Sequence, residues 1–425
     1  MPANRADERI WGAASAGQFA ALEGDIKADV VVIGAGFIGL AAALELVAAG
    51  RSVAILDAGE IGGSASAISA GHVGPMLYGA RKGPDDIVKQ LGLQMGDRLN
   101  ARVALAGSTL FDTIAQHQIQ CAARPGYVGV YRTERSLERA SQRFDSWAKF
   151  GGRVRRLSKA QVRDHIVSDR YAGGFLIEDG GWVDPLKLLE GLARGASTMG
   201  VAVYTGSRVV SANRDAKGWV VQTGSGAALS ANDVILATGA VTPDFAGAGI
   251  AGSTIRLACG IAASDPDESS FARLLPSGGP IADFDDPAVF APVVDNRQRL
   301  VVSMLMRNPE VEARPATEPA KARLNSVFGE AISFPTFDAG VIPVTLDGLP
   351  NLIRRDDGLI AVTGCNGFGM TLGMVAAREA ARLVLGTPVE QLALPVKAPK
   401  AVRAGSLLSG VMRNIVIPLA NRFGK

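Results

Sequence analysis

"ADVVVIGAGFIGLAAALELVAAGRSVAILDAGE", Ala28 to Glu60, compresses a strand, a turn, a helix and a second strand into about thirty residues. Val30 to Ile33 is a continuous apolar run, the pattern of a strand buried on both faces of a parallel sheet. Leu40, Leu44 and Val47 then recur at helical spacing, and Gly50 supplies a stop. Between them lies Gly34-Ala35-Gly36-Phe37-Ile38-Gly39. The first glycine makes a tight turn, the second lets backbone approach a pyrophosphate, and the third lets helix pack on strand. The helix start offers free N–H groups and a partial positive charge to phosphate. Asp57 closes the second strand, where a carboxylate can accept hydrogen bonds from an adenosine ribose. A lone glycine triplet could be a bare strand–helix crossing, but strand, loop, helix, strand and acid in this order point to a bound dinucleotide.

The chain has 425 residues, beyond the roughly 250–300 at which single cores stop growing, so two lobes are expected. Apolar residues make up 48% and charged ones 20%, a compact α/β composition rather than a disordered one. Cys121, Cys259 and Cys365 are far apart and form no CxxC, which argues against a disulfide scaffold or zinc site. His72, His117 and His165 form no HExxH or ligand cluster, so no metal is expected. A net charge of +3 without a dense basic block leaves no nucleic-acid footprint. Residues 1–29 carry scattered acids and no apolar core, so neither a secretory signal nor a membrane span is expected, and the location read from this is cytoplasmic.

Further motifs follow. "GEIGGSASAISAGHV", residues 59–73, is rich in small side chains that permit close backbone approach, with serine hydroxyls able to donate to phosphate; a plain linker is the alternative. "GWVDPLKLLEGLARGASTMGVAVY", residues 181–204, gives a helix on Leu186, Leu189 and Leu192 and a strand from Val201 to Tyr204. "ANDVILATGA", residues 231–240, gives a strand ending on Ala237, Thr238 and Gly239, the strand end where open α/β sheets hold ligands. "VTGCNGFGMTLG", residues 362–373, is a second glycine-rich turn running into a helix from Met370.

Taken with "TLDGLPNL", residues 345–352, this ordered set resembles the FAD-dependent D-amino-acid-oxidase-like oxidoreductases, and within them the gamma-glutamylputrescine oxidase-like branch, over about residues 25–390. The resemblance implies an α/β fold with a discontinuous Rossmann-like FAD lobe, residues 25–80, 178–245 and 339–395. It implies a second α+β substrate lobe on a mixed or antiparallel sheet, residues 81–177 and 246–338, and leaves a tail at 396–425. In that lobe "YVGVYRT" and "RLVVSMLM" read as strands, and residues 91–117 as a long helical stretch.

By the same resemblance the cofactor is FAD. Gly34, Gly36, Phe37, Ile38, Gly39, Asp57 and Ala58 would hold its ADP half, with Ser64, Ser66, Val209, Thr238 and Gly239 along its length. Gly364, Asn366, Gly367, Phe368, Gly369, Met370 and Thr371 would bring backbone N–H groups to the flavin, where a helix start stabilises the negative charge of the reduced ring. The two glycine-rich loops would thus grip opposite ends of one ligand. A covalent or redox role for Cys365 is the lesser reading, because a small cysteine in a packed loop is usually inert.

A flavin accepts a hydride equivalent at N5, so oxidation of an amine to an imine needs little acid–base machinery. The glycine-oxidase-like pattern places a carboxylate-clamping arginine where Ile342 stands here, and sarcosine-oxidase-like members carry a lysine where Thr371 stands. Both departures favour a primary or secondary amine over a free amino acid. The related "ASGRNGG" pattern is also altered, to "ASAISAGH". Candidate catalytic or clamping residues are His72, Arg256, Arg307 and Thr371, with Arg299 a further arginine beside a strand. The alternatives are an amino-acid dehydrogenase feeding a quinone and a non-catalytic flavin-bearing subunit; a nicotinamide reductase would have no use for the return loop. Oxygen or a quinone is the expected electron acceptor. The tail, with Leu408, Val411, Met412 and Ile415 on one side and Arg403, Arg413 and Arg422 nearby, could meet a membrane surface or pack on protein.

Overall fold

The structure, a computed structural model, describes residues 9–13, 15, 17–74, 82–286, 290–307 and 313–423, without the side chains of 313–316 and 421–423. Its largest sheet has nine strands. In spatial order they are β18 (Val396–Lys397), β16 (Asn351–Arg354), β17 (Ile360–Thr363), β10 (Ala228–Leu236), β1 (Ile26–Ile33), β2 (Val53–Leu56) and β7 (Ala202–Tyr204). An antiparallel pair, β8 (Val209–Asp215) and β9 (Gly218–Thr223), extends from β10. β17, β10, β1, β2 and β7 run parallel.

Both faces of the parallel part are covered, as the unbroken burial of Val30–Ile33 and Val53–Leu56 requires. Val30 and Val32 pack with Leu40 and Leu44 of the helix Phe37–Ala48, with Leu189 and Leu192 of the helix Pro185–Thr198, and with Val375 and Ala380 of the helix Met374–Val384. Val31 and Ile33 point the other way, into a second core with Trp219 and Val221 of β9. The helix Pro185–Thr198 starts where the sequence marks it: Asp184 Oδ1 accepts from the backbone N–H groups of Leu186 and Lys187, and Pro185 opens the first turn.

Two smaller sheets complete the α/β fold. One has β12 (Ile281–Asp283), β4 (Arg124–Tyr131), β6 (Gly173–Trp182) and β3 (His72–Val73), with β5 (Val154–Ser158) on β6. Only its β4–β12 pair is parallel, so it is mixed. The other is antiparallel throughout, in the order β13 (Pro292–Val294), β14 (Arg299–Met306), β11 (Ile255–Pro266) and β15 (Thr336–Val344). Among the described residues no helix is long and apolar enough to cross a membrane.

Two helical expectations change in detail. Residues 91–117 hold two helices, Leu93–Ala104 and Ala106–Gln116, separated at Leu105. The second is drawn onto β6: a Cβ on Gly107 would stand 1.7 Å from the Asp179 carbonyl oxygen. The return helix expected from Met370 opens as a π-helical turn, Gly369–Gly373, and is α-helical from Met374. Gly373 N donates to the Phe368 carbonyl, five residues back, at 2.9 Å.

Candidate functional site

A cavity of about 1890 Å³ opens at the carboxyl ends of β1, β2 and β10 and continues to the β11–β14–β15 sheet. Its volume exceeds the roughly 300–1,000 Å³ of a site for one small ligand. Gly34, Gly36, Phe37 and Ile38 line it with Asp57 and Ala58, and so do Asn366, Gly367, Phe368, Gly369 and Met370 of the return loop. A Cβ at Gly369 would lie 3.4 Å from Phe37 Cδ2, so the two loops meet at the cavity wall. Ser64, Ser66, Val209, Thr238 and Gly239 are further lining residues.

The opening loop is shaped by contacts that a side chain would destroy. Gly34 has φ +108°, and a Cβ there would lie 2.6 Å from the Ala237 carbonyl oxygen. Gly39 is not a lining residue; its absent Cβ would meet the Gly34 carbonyl oxygen at 1.8 Å, so it serves the strand–helix crossing. Gly36 differs from both: its φ is −78°, and the atom nearest to a Cβ there is Ser66 Oγ, at 2.9 Å. The helix start at Gly36 has no side-chain cap, which leaves its first N–H groups available at the cavity. Asp57 Oδ2 accepts from Ala35 N at 2.7 Å and Oδ1 from Gly59 N at 2.9 Å. Each oxygen keeps a lone pair for a ligand hydroxyl.

The return loop offers a donor without a partner. Asn366 has φ +57°, and its Oδ1 accepts from Thr345 N at 2.8 Å and Thr345 Oγ1 at 3.1 Å. Those bonds fix the amide orientation and leave Nδ2 buried with no partner among the described residues. Gly364 lies behind the wall, where a Cβ would stand 2.4 Å from Thr345 Cγ2. Thr371 is 3% exposed and donates from Oγ1 to the Gly74 carbonyl at 2.9 Å, so it braces the loop rather than facing the cavity.

These features fit FAD: an uncapped helix start beside a serine hydroxyl, an orphaned amide donor beside the π turn, and one cavity lined by both.

The third wall is made by residues the sequence did not single out. Tyr127, Phe284 and Phe337 join Leu257, Ile261 and Phe368 around the β11–β15 end, and burial pushes the Tyr127 hydroxyl well above the ordinary tyrosine range. They come from β4, β11, β15 and the loop after β12, so no local spacing could reveal their convergence. His72 also lines the cavity, edge-on to Tyr127 with ring centroids 5.7 Å apart. Both ring nitrogens are shielded from solvent and lack a well-aligned hydrogen bond. Burial lowers its pKa to about 4, against a small upward pull from the Ala291 backbone, so the imidazole is neutral near pH 7.

Of the three arginines, Arg256 is exposed at the cavity wall and has no ion-pair partner among the described residues. Arg299 is committed elsewhere, donating to Asp295 Oδ2 from Nε at 2.9 Å and from Nη2 at 2.7 Å, and to the Ile10 carbonyl at 2.8 Å. Arg307 is exposed just after β14 and is not a lining residue. Burial raises the pKa of the Cys365 thiol and pushes that of Cys259 up to about 11, which keeps both from the reactive thiolate form.

Residues 29–383 match the family model described as "DAO: FAD dependent oxidoreductase". A probable oxidoreductase OrdL of Haemophilus influenzae is 29% identical over 378 residues, covering 87% of this chain and 85% of the relative. The gamma-glutamylputrescine oxidoreductase of Escherichia coli is 27% identical over 382 residues, covering 88% of each. Among solved structures, glycine oxidase from Geobacillus kaustophilus superposes with a TM-score of 0.68 at 22% identity, over 85% of this chain and 95% of that one.

Proposed function

This chain belongs to the DAO family of FAD-dependent oxidoreductases, and from that premise we propose that it oxidises the C–N bond of a primary or secondary amine to an imine. The observation that carries the reading is Ile342, an apolar side chain on the cavity wall where the glycine-oxidase-like pattern has its carboxylate clamp. The Ile342 Cδ1 methyl stands 3.6 Å from the Cβ position of Gly367, so it faces the return loop. This side chain offers a carboxylate no charge in return for its desolvation.

FAD, when bound, supplies the two-electron acceptor. The chain supplies the surroundings. Leu257, Ile261, Tyr127, Phe337 and Phe368 exclude water and disfavour the ammonium form, so the amine binds with its lone pair free. His72, neutral near pH 7, adds no positive charge that would repel residual ammonium. The Asn366 Nδ2 donor and the π turn behind it favour negative charge at the return loop. Arg256, an exposed lining cation paired on β11 with Pro343, is the candidate to meet an anionic group carried by an elongated amine. Gamma-glutamylputrescine, from the name of the Escherichia coli relative, is an amine with such a distant carboxylate. Oxygen or a quinone takes up the electrons, and the tail is the candidate for peripheral membrane contact.

The test is an anaerobic screen of polyamines, N-methylated amines, γ-glutamylated amines and D- and L-amino acids, read by bleaching of the flavin absorbance. Bleaching by amines supports the proposal. Bleaching by free α-amino acids alone overturns it.

A further inference from the structure

The C-terminal tail presents its apolar side chains differently from the face read in the sequence. Helix Gly405–Val411 passes through a π turn, Met412–Val416, into helix Ile417–Phe423. Leu408 and Met412 are half-buried and Ile417 is 3% exposed, so these turn toward the body. Leu407, Val411, Ile415, Val416 and Leu419 are 66%, 38%, 53%, 41% and 44% exposed. The wide π turn sets Ile415 and Val416 together on that outer side.

This outer face is fixed in place. Val402 N donates to the Gly252 carbonyl at 2.7 Å, Pro399 lies over Gly249, and Arg323 Nη2 donates to the Ala420 carbonyl at 3.1 Å. Residues 239–241 are among the cavity's lining residues. Val241 and Leu346, both lining residues, are 63% and 65% exposed.

The charge around the stripe selects its partner. Lys400, Arg403 and Arg413 are exposed, and the sequence from Leu392 onward contains no Asp or Glu. A second copy seated by two-fold symmetry would bring these cations against their own equivalents. An anionic lipid surface answers both halves of the pattern, burying the apolar stripe and pairing with the cations. We propose that the tail docks this chain on an anionic bilayer surface. The proposal does not depend on which amine is oxidised.

The test is co-sedimentation of the flavin-loaded full chain with phosphatidylcholine vesicles, with and without phosphatidylglycerol. Binding is expected only with phosphatidylglycerol and should weaken as salt rises. Arg403→Gln and Arg413→Gln should each weaken it by about fivefold, and Leu407→Ser with Ile415→Ser should abolish it. Circular dichroism and flavin content, expected to be unchanged, report folding for these exposed substitutions. Failure to bind anionic vesicles overturns the proposal. So does a wild-type oligomer that Leu407→Ser with Ile415→Ser dissociates, which would assign the stripe to a second copy. A chain that docks but is bleached by no amine leaves this inference standing and removes the proposed function.

Discussion

Replacing Gly36 by alanine separates binding from folding. At φ −78° and ψ −178° alanine is unstrained, and its Cβ would meet only Ser66 Oγ, at 2.9 Å. The serine must give way by about half an ångström to reach ordinary contact. Apoprotein stability should change by less than about 1 kcal/mol, since the entropy gained by removing a glycine offsets the shift. Bound FAD should suffer more. The methyl group blocks close approach of a phosphate and displaces the Ser66 hydroxyl, losing one charge-assisted hydrogen bond of about 1.5–3 kcal/mol, roughly 10- to 150-fold in Kd. Quenching of flavin fluorescence on titration into apoprotein measures this, and thermal melts of the apoprotein supply the control. Ser66→Ala should reproduce much of the loss, and the double variant should be less than additive. An unchanged Kd, or an apoprotein destabilised by as much as binding is lost, would refute the reasoning.

Gly34→Ala should behave in the opposite way, destabilising the apoprotein by about 2–4 kcal/mol, because φ +108° and a Cβ 2.6 Å from the Ala237 carbonyl oxygen strain the fold itself; a melt without cofactor checks it. His72 has a folded pKa of about 4 against 6.5 when free, so the unfolded chain takes up a proton that the folded one refuses. Stability should therefore fall as pH drops from 6.5 to 4, by up to about 3 kcal/mol, and His72→Gln should lose that component of the pH dependence of apoprotein melting. Arg256→Met should raise KM by up to about fivefold for an amine with a distant carboxylate, the loss of one exposed charge contact of at most about 1 kcal/mol, while leaving KM for a simple polyamine and the bound flavin unchanged. Arg307→Met should alter neither, as steady-state kinetics would show.

The sequence made the opening half of the site legible because its signals are local. Strand, glycine turn, helix and Asp57 follow one another within one supersecondary unit; Gly34 and Gly39 have backbone reasons to be there, and Gly36 leaves room beside Ser66. The return loop was legible only through resemblance, since nothing in residues 362–373 states that β17 pairs with β10 and brings them back to the first loop. Tyr127, Phe284 and Phe337 escaped for the same reason: pairing between strands far apart in the chain sets their meeting, while each alone reads as an ordinary core aromatic. The break at Leu105 goes with a glycine packing against β6, and the shared outward face of Ile415 and Val416 with a π turn, both invisible to a 3.6-residue period.

One FAD lies across both glycine-rich loops in this account, and a crystal structure of the flavin-loaded protein tests that directly. It should show the adenosine ribose at the Asp57 carboxylate and the flavin ring against Asn366 and the Gly369–Gly373 turn, within a single ligand. Density that places flavin away from residues 366–373, or leaves the Gly34–Gly39 loop without a phosphate, would contradict it.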